Sequence, residues 1–216
     1  RQFAGEDGLP PFDAAVVERL RMKPVRTSSG VTPVTVLTKP FPCPGEFIFG
    51  PNDVRMPKSY LADEPGAQRA GQNAFDPYLQ AMSRLRAYQN TGHPTAKIEL
   101  IVLGGTYQIW FIKRLFDALN DFGAGRDESA AVWAALAAGL APVTETVVRG
   151  VDVGGSTTYN HAVQTIYRDE LRRSQAVTAE LARGQRAPSP IDETASWEDL
   201  MAAHRANEEA GSRCVG

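Results

Sequence analysis

Cysteine is nearly absent: Cys43 and Cys214 are the two in 216 residues. Two thiols make neither a disulfide framework nor a self-contained metal site. Histidine is as sparse, and His93, His161 and His204 are too widely spaced for a zinc pattern. No apolar run approaches the roughly 18 residues of a membrane span, and no charged-then-apolar leader is present, so the expectation is a cytoplasmic protein with no membrane partner. Internal repeats and low-complexity tracts are also missing. Spacing identifies no Ser/His/Asp triad and no paired carboxylates, and "GVDVGG" (150–155) lacks the Lys-Ser/Thr of a phosphate loop. Nor is there an excess of charge: 23 Lys and Arg against 25 Asp and Glu give a net −2, which argues against indiscriminate nucleic-acid binding.

What is there is ordinary in bulk, 43% hydrophobic and 22% charged, as in a globular protein. The length suits one domain or two small ones, burying roughly 70% of the unfolded chain's surface without staples. The charge is unevenly spread. Residues 18–58 hold seven bases (Arg19, Arg21, Lys23, Arg26, Lys39, Arg55, Lys58) against Glu18, Glu46 and Asp53, whereas residues 189–209 hold six acids against Arg205. A basic end can meet phosphate; the plainer reading is two solvated faces. The chain starts at Arg1 and stops at "SRCVG", as a new apolar strand begins, and reads as a piece of something longer.

Helix and strand patterns alternate. "DAAVVERLRM" (13–22) has Asp13 as N-cap and Val16, Val17 and Leu20 on one face. "VTPVTVL" (31–37) is β-branched, with Pro33 near its start. After a short helix in 64–73, a clear one spans 77–90, capped by Asp76, begun by Pro77, stopped by Gly92, and carrying Leu79, Met82, Leu85 and Tyr88 inward. "KIELIVL" (97–103) runs apolar from Leu100 to Leu103, as in a strand covered on both faces. Residues 107–122 form an amphipathic helix with Ile109, Ile112, Phe116 and Leu119 inward. Strand, helix, strand, helix with such crossovers implies a parallel sheet. Ala-rich or charged helices follow from 123 and over 158–183; 184–196 is a linker or surface loop, and Ser196 caps a helix over 197–210. His93 in "TGHPT" reads as a turn residue, and Trp110, Trp133 and Trp197 as core.

The loop "PFPCPGEFIFGP" (40–51) follows the first strand, and with cysteines at 47 and 50 it would read C-x-x-x-C-x-x-C, the spacing that holds the cluster of radical S-adenosylmethionine (SAM) enzymes. Other blocks extend the likeness: "KPVRTSSGVTPVTVLTKPFPCPG", "RMPKSYLADEPGAQRA", "FDPYLQ", "TGHPTAKIELIVLGGT", "WFIKRLFDALN" and "RCVG". Over about residues 20–122 and 197–216 the chain resembles the N-terminal part of the Elongator catalytic subunit family, the radical SAM tRNA uridine acetyltransferases.

The resemblance implies an α/β fold, an incomplete radical-SAM-type (β/α) barrel, mostly helical with a small parallel sheet. It divides the chain into the tRNA-facing segment and first βα units (1–122), a variable helical insertion and linker (123–196), and a helix leading into a truncated strand (197–216). It also implies modification of carbon 5 of the tRNA wobble uridine, with a 4Fe–4S cluster, SAM and acetyl-CoA as the family's cofactors. Cys43 matches the first cluster ligand, but Phe47 and Gly50 stand where the other two cysteines belong, and one thiolate cannot hold a cubane cluster. Leu115 replaces a further family cysteine in a helix. Gly104, Gly105 and Thr106 match the SAM-approaching turn, although the segment that follows is shortened at Tyr107-Gln108. Lys23, Arg26 and Thr27, continued by Lys39, Arg55 and Lys58, match the family's tRNA-facing stretch. The expectation is therefore a fragment or disarmed copy of such an enzyme, without radical chemistry as it stands; the alternative is a non-catalytic tRNA- or protein-binding module. A third strand cut at Cys214–Gly216 leaves an open sheet edge for self-association or pairing with another chain.

Overall fold

The computed structural model describes residues 13–42, 51, 53–105, 108–139 and 156–216. Three parallel strands, β1 (Thr32–Leu37), β2 (Lys97–Leu103) and β3 (Arg213–Cys214), form one sheet in the order β1-β2-β3. Around them lie α1 (Ala14–Leu20), α2 (Pro65–Gln72), α3 (Pro77–Asn90), α4 (Ile109–Gly123), α5 (Ser129–Gly139), α6 (Ser156–Ala182) and α7 (Trp197–Asn207), with a 3-10 turn at Pro24–Thr27. The protein is a mostly helical α/β chain whose small sheet, among the described residues, does not close into a barrel.

β1 and β2 pair along their full length, Thr32 opposite Ile98 and Leu37 opposite Leu103, while β3 reaches only Lys97 and Ile98. α3 starts where Asp76 accepts the Leu79 N–H at 2.9 Å and Pro77 takes the first turn. Leu79, Met82, Leu85 and Tyr88 are all buried, with Tyr78 and Ala81 buried beside them, because α3 is packed between β1 and α4. Its apolar side chains meet Val34, Val36 and Ile98 from the sheet and Phe111, Leu115, Ala118 and Leu119 from α4, forming the main core. Leu115 is fully buried there, as a helix-core residue should be.

The connection into β3 is a polar bracket. Asn207, buried at the end of α7, donates to Asn120 Oδ1 (2.8 Å) and the Ser212 carbonyl (3.0 Å) and accepts from the Cys214 N–H (2.7 Å). Beneath it, Gly123 and Gly211 touch backbone to backbone; a Cβ on Gly211 would lie 2.7 Å from the Gly123 carbonyl oxygen.

Several expectations are corrected. Val16 and Leu20 face solvent, Leu20 at 75% exposure, because α1 leans on the α3–β2 turn mainly through Val17, beside Gly92. Trp133 and Trp197 are exposed, Trp197 at 61%, whereas Trp110 is half-buried against the core. Ile109 points outward from the first turn of α4, ahead of its packed face. Residues 100–103 of β2 are only half-buried, because β3 stops short of them.

Candidate functional site

Parallel pairing brings the carboxyl ends of β1 and β2 to one rim, where Thr38 N–H extends the ladder to the Leu103 carbonyl at 2.9 Å. Gly104 follows with φ +116°, a conformation that disfavours any side chain, and a Cβ there would run into Thr38 Oγ1. Thr38 is buried and its hydroxyl has no hydrogen-bond partner. The packing of β1's own end thus requires glycine at 104. Gly105 has open space where its Cβ would be. Thr106 lies outside the described residues.

Three of the expected tRNA-facing residues sit toward this rim. Lys39 pairs with Glu193 at 2.6 Å. Arg55 grips Asp53 twice, Nε to Oδ1 at 2.8 Å and Nη2 to Oδ2 at 2.6 Å, and these bonds hold the Asp53 carboxyl below the usual aspartate range. Lys58 Nζ reaches the Pro51 carbonyl at 3.4 Å and faces the Tyr159 ring, whose hydroxyl donates to the Met56 carbonyl.

The other three lie at the opposite end of β1, about 20 Å away for a six-residue strand. Lys23 adopts a left-handed conformation (φ 54°) before Pro24, and Lys23, Val25 and Arg26 are exposed. Thr27 is buried beneath them. His93 Nε2 lies 2.9 Å from the Met22 carbonyl, which can only accept, so Nε2 carries the proton; in the neutral ring, Nδ1 accepts from Thr27 Oγ1 at 2.9 Å. His93 therefore clasps both ends of the exposed turn and packs edge-on against Tyr88. It is a buried fastener, which corrects its reading as a plain turn residue, and Thr27 belongs to the clasp.

α3 also finishes the outer edge of β1. Gln80 accepts the Leu37 N–H and donates to the Leu37 carbonyl, both at 2.9 Å, and Tyr88 donates to the Pro33 carbonyl at 3.0 Å. Arg84 donates to the Tyr88 hydroxyl at 2.6 Å, its guanidinium 4.1 Å from the ring centroid. Sequence reasoning missed Gln80, Arg84 and His93. A glutamine between Leu79 and Ala81 in a buried stripe was the available signal for Gln80.

Among the described residues no group of three or more His, Cys, Asp or Glu could hold a metal ion. Cys43, Phe47 and Gly50 lie outside them. Cys214 pairs with Ile98 and packs on the core at the amino end of the sheet, opposite the rim from which the 40–51 loop departs. One cysteine with Phe and Gly is not a donor set for a 4Fe–4S cluster, which needs at least three thiolates to leave one iron open.

No family profile matches the chain. Half of it is nevertheless similar to proteins of one kind. The tRNA uridine(34) acetyltransferase of Dehalococcoides mccartyi is 48% identical over 112 residues, 49% of this chain and 24% of that protein. That of Methanocaldococcus jannaschii is 48% identical over 124 residues, 51% of this chain and 23% of that protein. Elongator complex protein 3 of Homo sapiens is 34% identical over 129 residues, with 51% and 24% covered. Over about half its length the chain is thus homologous to the tRNA uridine(34) acetyltransferase and Elongator complex protein 3 family, and it spans about a quarter of the length of these relatives. A solved structure of archaeal Methanocaldococcus infernus Elp3 with an N-terminal deletion aligns at TM-score 0.36 and 23% identity, covering 87% of this chain and 22% of that one; so loose a superposition has no bearing on the fold.

Proposed function

We propose that this chain is a tRNA-binding segment of a wobble-uridine-modifying protein, a fragment or disarmed copy of a tRNA uridine(34) acetyltransferase that carries out no radical chemistry of its own. Residues 1–122 then form the tRNA-facing part, 123–196 a helical insertion, and 197–216 the lead into the third strand. The observation that carries this reading is the 48% identity to tRNA uridine(34) acetyltransferases in a chain with Phe47 and Gly50 in the cluster loop. The exposed turn of Lys23 and Arg26, fastened by His93, supports the tRNA half of it.

Two measurements test it. A labelled tRNA transcript should bind the chain in a salt-dependent way; no binding at low salt would refute the tRNA reading. Anaerobic reconstitution with iron and sulfide should give no 4Fe–4S absorbance in the protein as it is, and a cluster in the Phe47→Cys/Gly50→Cys variant. A stoichiometric cluster in the unaltered protein would refute the disarmed reading.

A further inference from the structure

Three contacts seat the 156–196 segment on the carboxyl rim of the sheet. At one end of α6, Tyr159 and Val163 are fully buried, and the Tyr159 hydroxyl donates to the Met56 carbonyl at 2.9 Å. Met56 packs with Leu37 and Leu103, the last residues of β1 and β2, so this anchor lies at the rim. At the other end, Thr178, Leu181 and Ala182 share a groove with Gln108, Ile109 and Trp110, where the chain leaves the rim and enters α4. α6 has 27 residues and is about 40 Å long. It therefore lies across the rim as a bar. The third contact is the ion pair of Lys39, just past β1, with Glu193 at 2.6 Å.

Glu193 is coupled to the end of α6. The Gly184 N–H donates to the Leu181 carbonyl and the Gln185 N–H to the Glu180 carbonyl, both at 3.0 Å, which closes the helix. Asp192 then accepts from Arg186 at 2.8 Å and from the Ser189 N–H at 2.7 Å. The last turn of α6 and Glu193 thus belong to one hydrogen-bonded piece. The two ends of the bar are held differently. The Tyr159 end is buried, whereas Thr178 and Ala182 are exposed, Leu181 is half-buried, and a groove of about 1010 Å³ separates them from α4 and α7. The far end therefore depends on the Lys39–Glu193 pair more than on packing. Both side chains of that pair are 25% exposed, and such a pair is worth up to about fivefold in an equilibrium.

Open parallel α/β sheets bind their ligands outside the carboxyl ends of the strands. The three bases at this rim are all engaged within the chain: Lys39 by Glu193, Arg55 by Asp53, and Lys58 at 6.0 Å from the Tyr159 ring centroid. Glu193 and Tyr159 come from a segment outside the sequence blocks that resemble the family. A carboxylate oxygen on a lysine ammonium stands where a phosphate oxygen would stand. We propose that α6 and the residues up to Glu193 form an autoinhibitory strap over the carboxyl rim, latched by Glu193 on Lys39, which an RNA backbone must lift to reach the rim. This rests on the tRNA reading above and adds to it a control on the rim bases.

Binding of a labelled tRNA transcript to the full chain over a range of salt tests the strap, for the wild type, Glu193→Gln, Lys39→Gln and the double variant. Glu198→Gln, which removes the same charge from an exposed position on α7, is the control. Glu193→Gln should bind several-fold more tightly and steepen the slope of log affinity against log salt by about one unit, the share of one phosphate contact. Lys39→Gln should abolish that gain, and Glu198→Gln should leave the slope unchanged. Thermal melting of every variant separates altered binding from altered folding. An unchanged affinity and slope in Glu193→Gln, or an equal gain in Glu198→Gln, would overturn the strap. Hydrogen exchange reads the latch without RNA: Glu193→Gln should speed exchange of the amides of 178–182 and leave those of 159–163 protected. If neither the wild type nor Glu193→Gln binds tRNA, the functional reading fails, and exchange then decides the strap by itself. Faster exchange at 178–182 would uphold a releasable strap; equal exchange would overturn it.

Discussion

Asp76 shows how one residue serves two opposed ends. Its side chain caps α3 by accepting the Leu79 N–H, yet it is buried, and burial raises its carboxyl pKa above the usual aspartate value despite that bond and the charge of Arg114. A carboxylate whose pKa is raised on folding binds its proton more tightly in the folded state, so stability falls as pH rises. The loss begins near the unfolded value of about 3.9 and is complete above the raised folded value. Asparagine keeps the capping oxygen without the charge. We therefore expect Asp76→Asn to match the wild type at low pH and to exceed it at neutral pH, whereas Asp76→Ala loses about 1 kcal/mol through the missing cap. Urea denaturation of both variants across pH checks this; a wild type that gains on Asp76→Asn as pH rises would reverse the assignment.

At the scale of elements, α3 and the β1–β2 pair were legible because each obeys a local rule. The cap-and-Pro start, the three-residue apolar steps and the β-branched run all agree with their surroundings. α1, Trp133 and Trp197 were misread because periodicity says which residues share a face and nothing about whether another element covers it. The end of α7 was legible as a helix, but its role was not. Asn207 makes contacts with Asn120 on α4 and with Ser212 and Cys214, and long-range polar pairings leave no local pattern. The same holds for the candidate site: its charges could be found in the sequence, but their division between two ends of β1, and the carboxylates facing Lys39 and Arg55, could not. The bracket yields a prediction. Asn207→Ala strands the Cys214 N–H, the Ser212 carbonyl and Asn120 Oδ1, and should cost about 3 kcal/mol, since each buried unsatisfied group costs about 1–3 kcal/mol. The Val215 amide, bonded to the Ile98 carbonyl, should lose hydrogen-exchange protection with it. A loss under about 1 kcal/mol with that amide still protected would mean that β3 is held by its strand pairing alone.

For the molecule as a whole, the sheet, open among the described residues, is the feature with the broadest consequence. An exposed strand edge recruits other strands, and the two sides of this sheet differ in how far they are finished. Alternation in a parallel ladder turns the even-numbered residues of β1 toward β2, as the Thr38–Leu103 bond shows, so Pro33 and Leu37 face outward. Pro33 has no N–H to offer, its carbonyl is taken by Tyr88, and both groups of Leu37 are taken by Gln80. On the other side, Ile98 and Leu100 pair with Val215 and Gly216, which puts the N–H and carbonyl of Val102 on the same side beyond the end of that pairing. Self-association should therefore run through the Val102 side of β2 and leave the β1 edge alone. Multi-angle light scattering of the purified chain should show a concentration-dependent dimer. Val102→Pro, which removes the outward N–H, should shift the protein toward monomer, whereas Thr35→Pro on the finished edge should leave the dimer fraction unchanged in whatever protein folds. A dimer that survives Val102→Pro would place the contact away from this edge, and a monomer at every concentration would mean that the half-buried apolar residues 100–103 are sufficiently shielded within one chain.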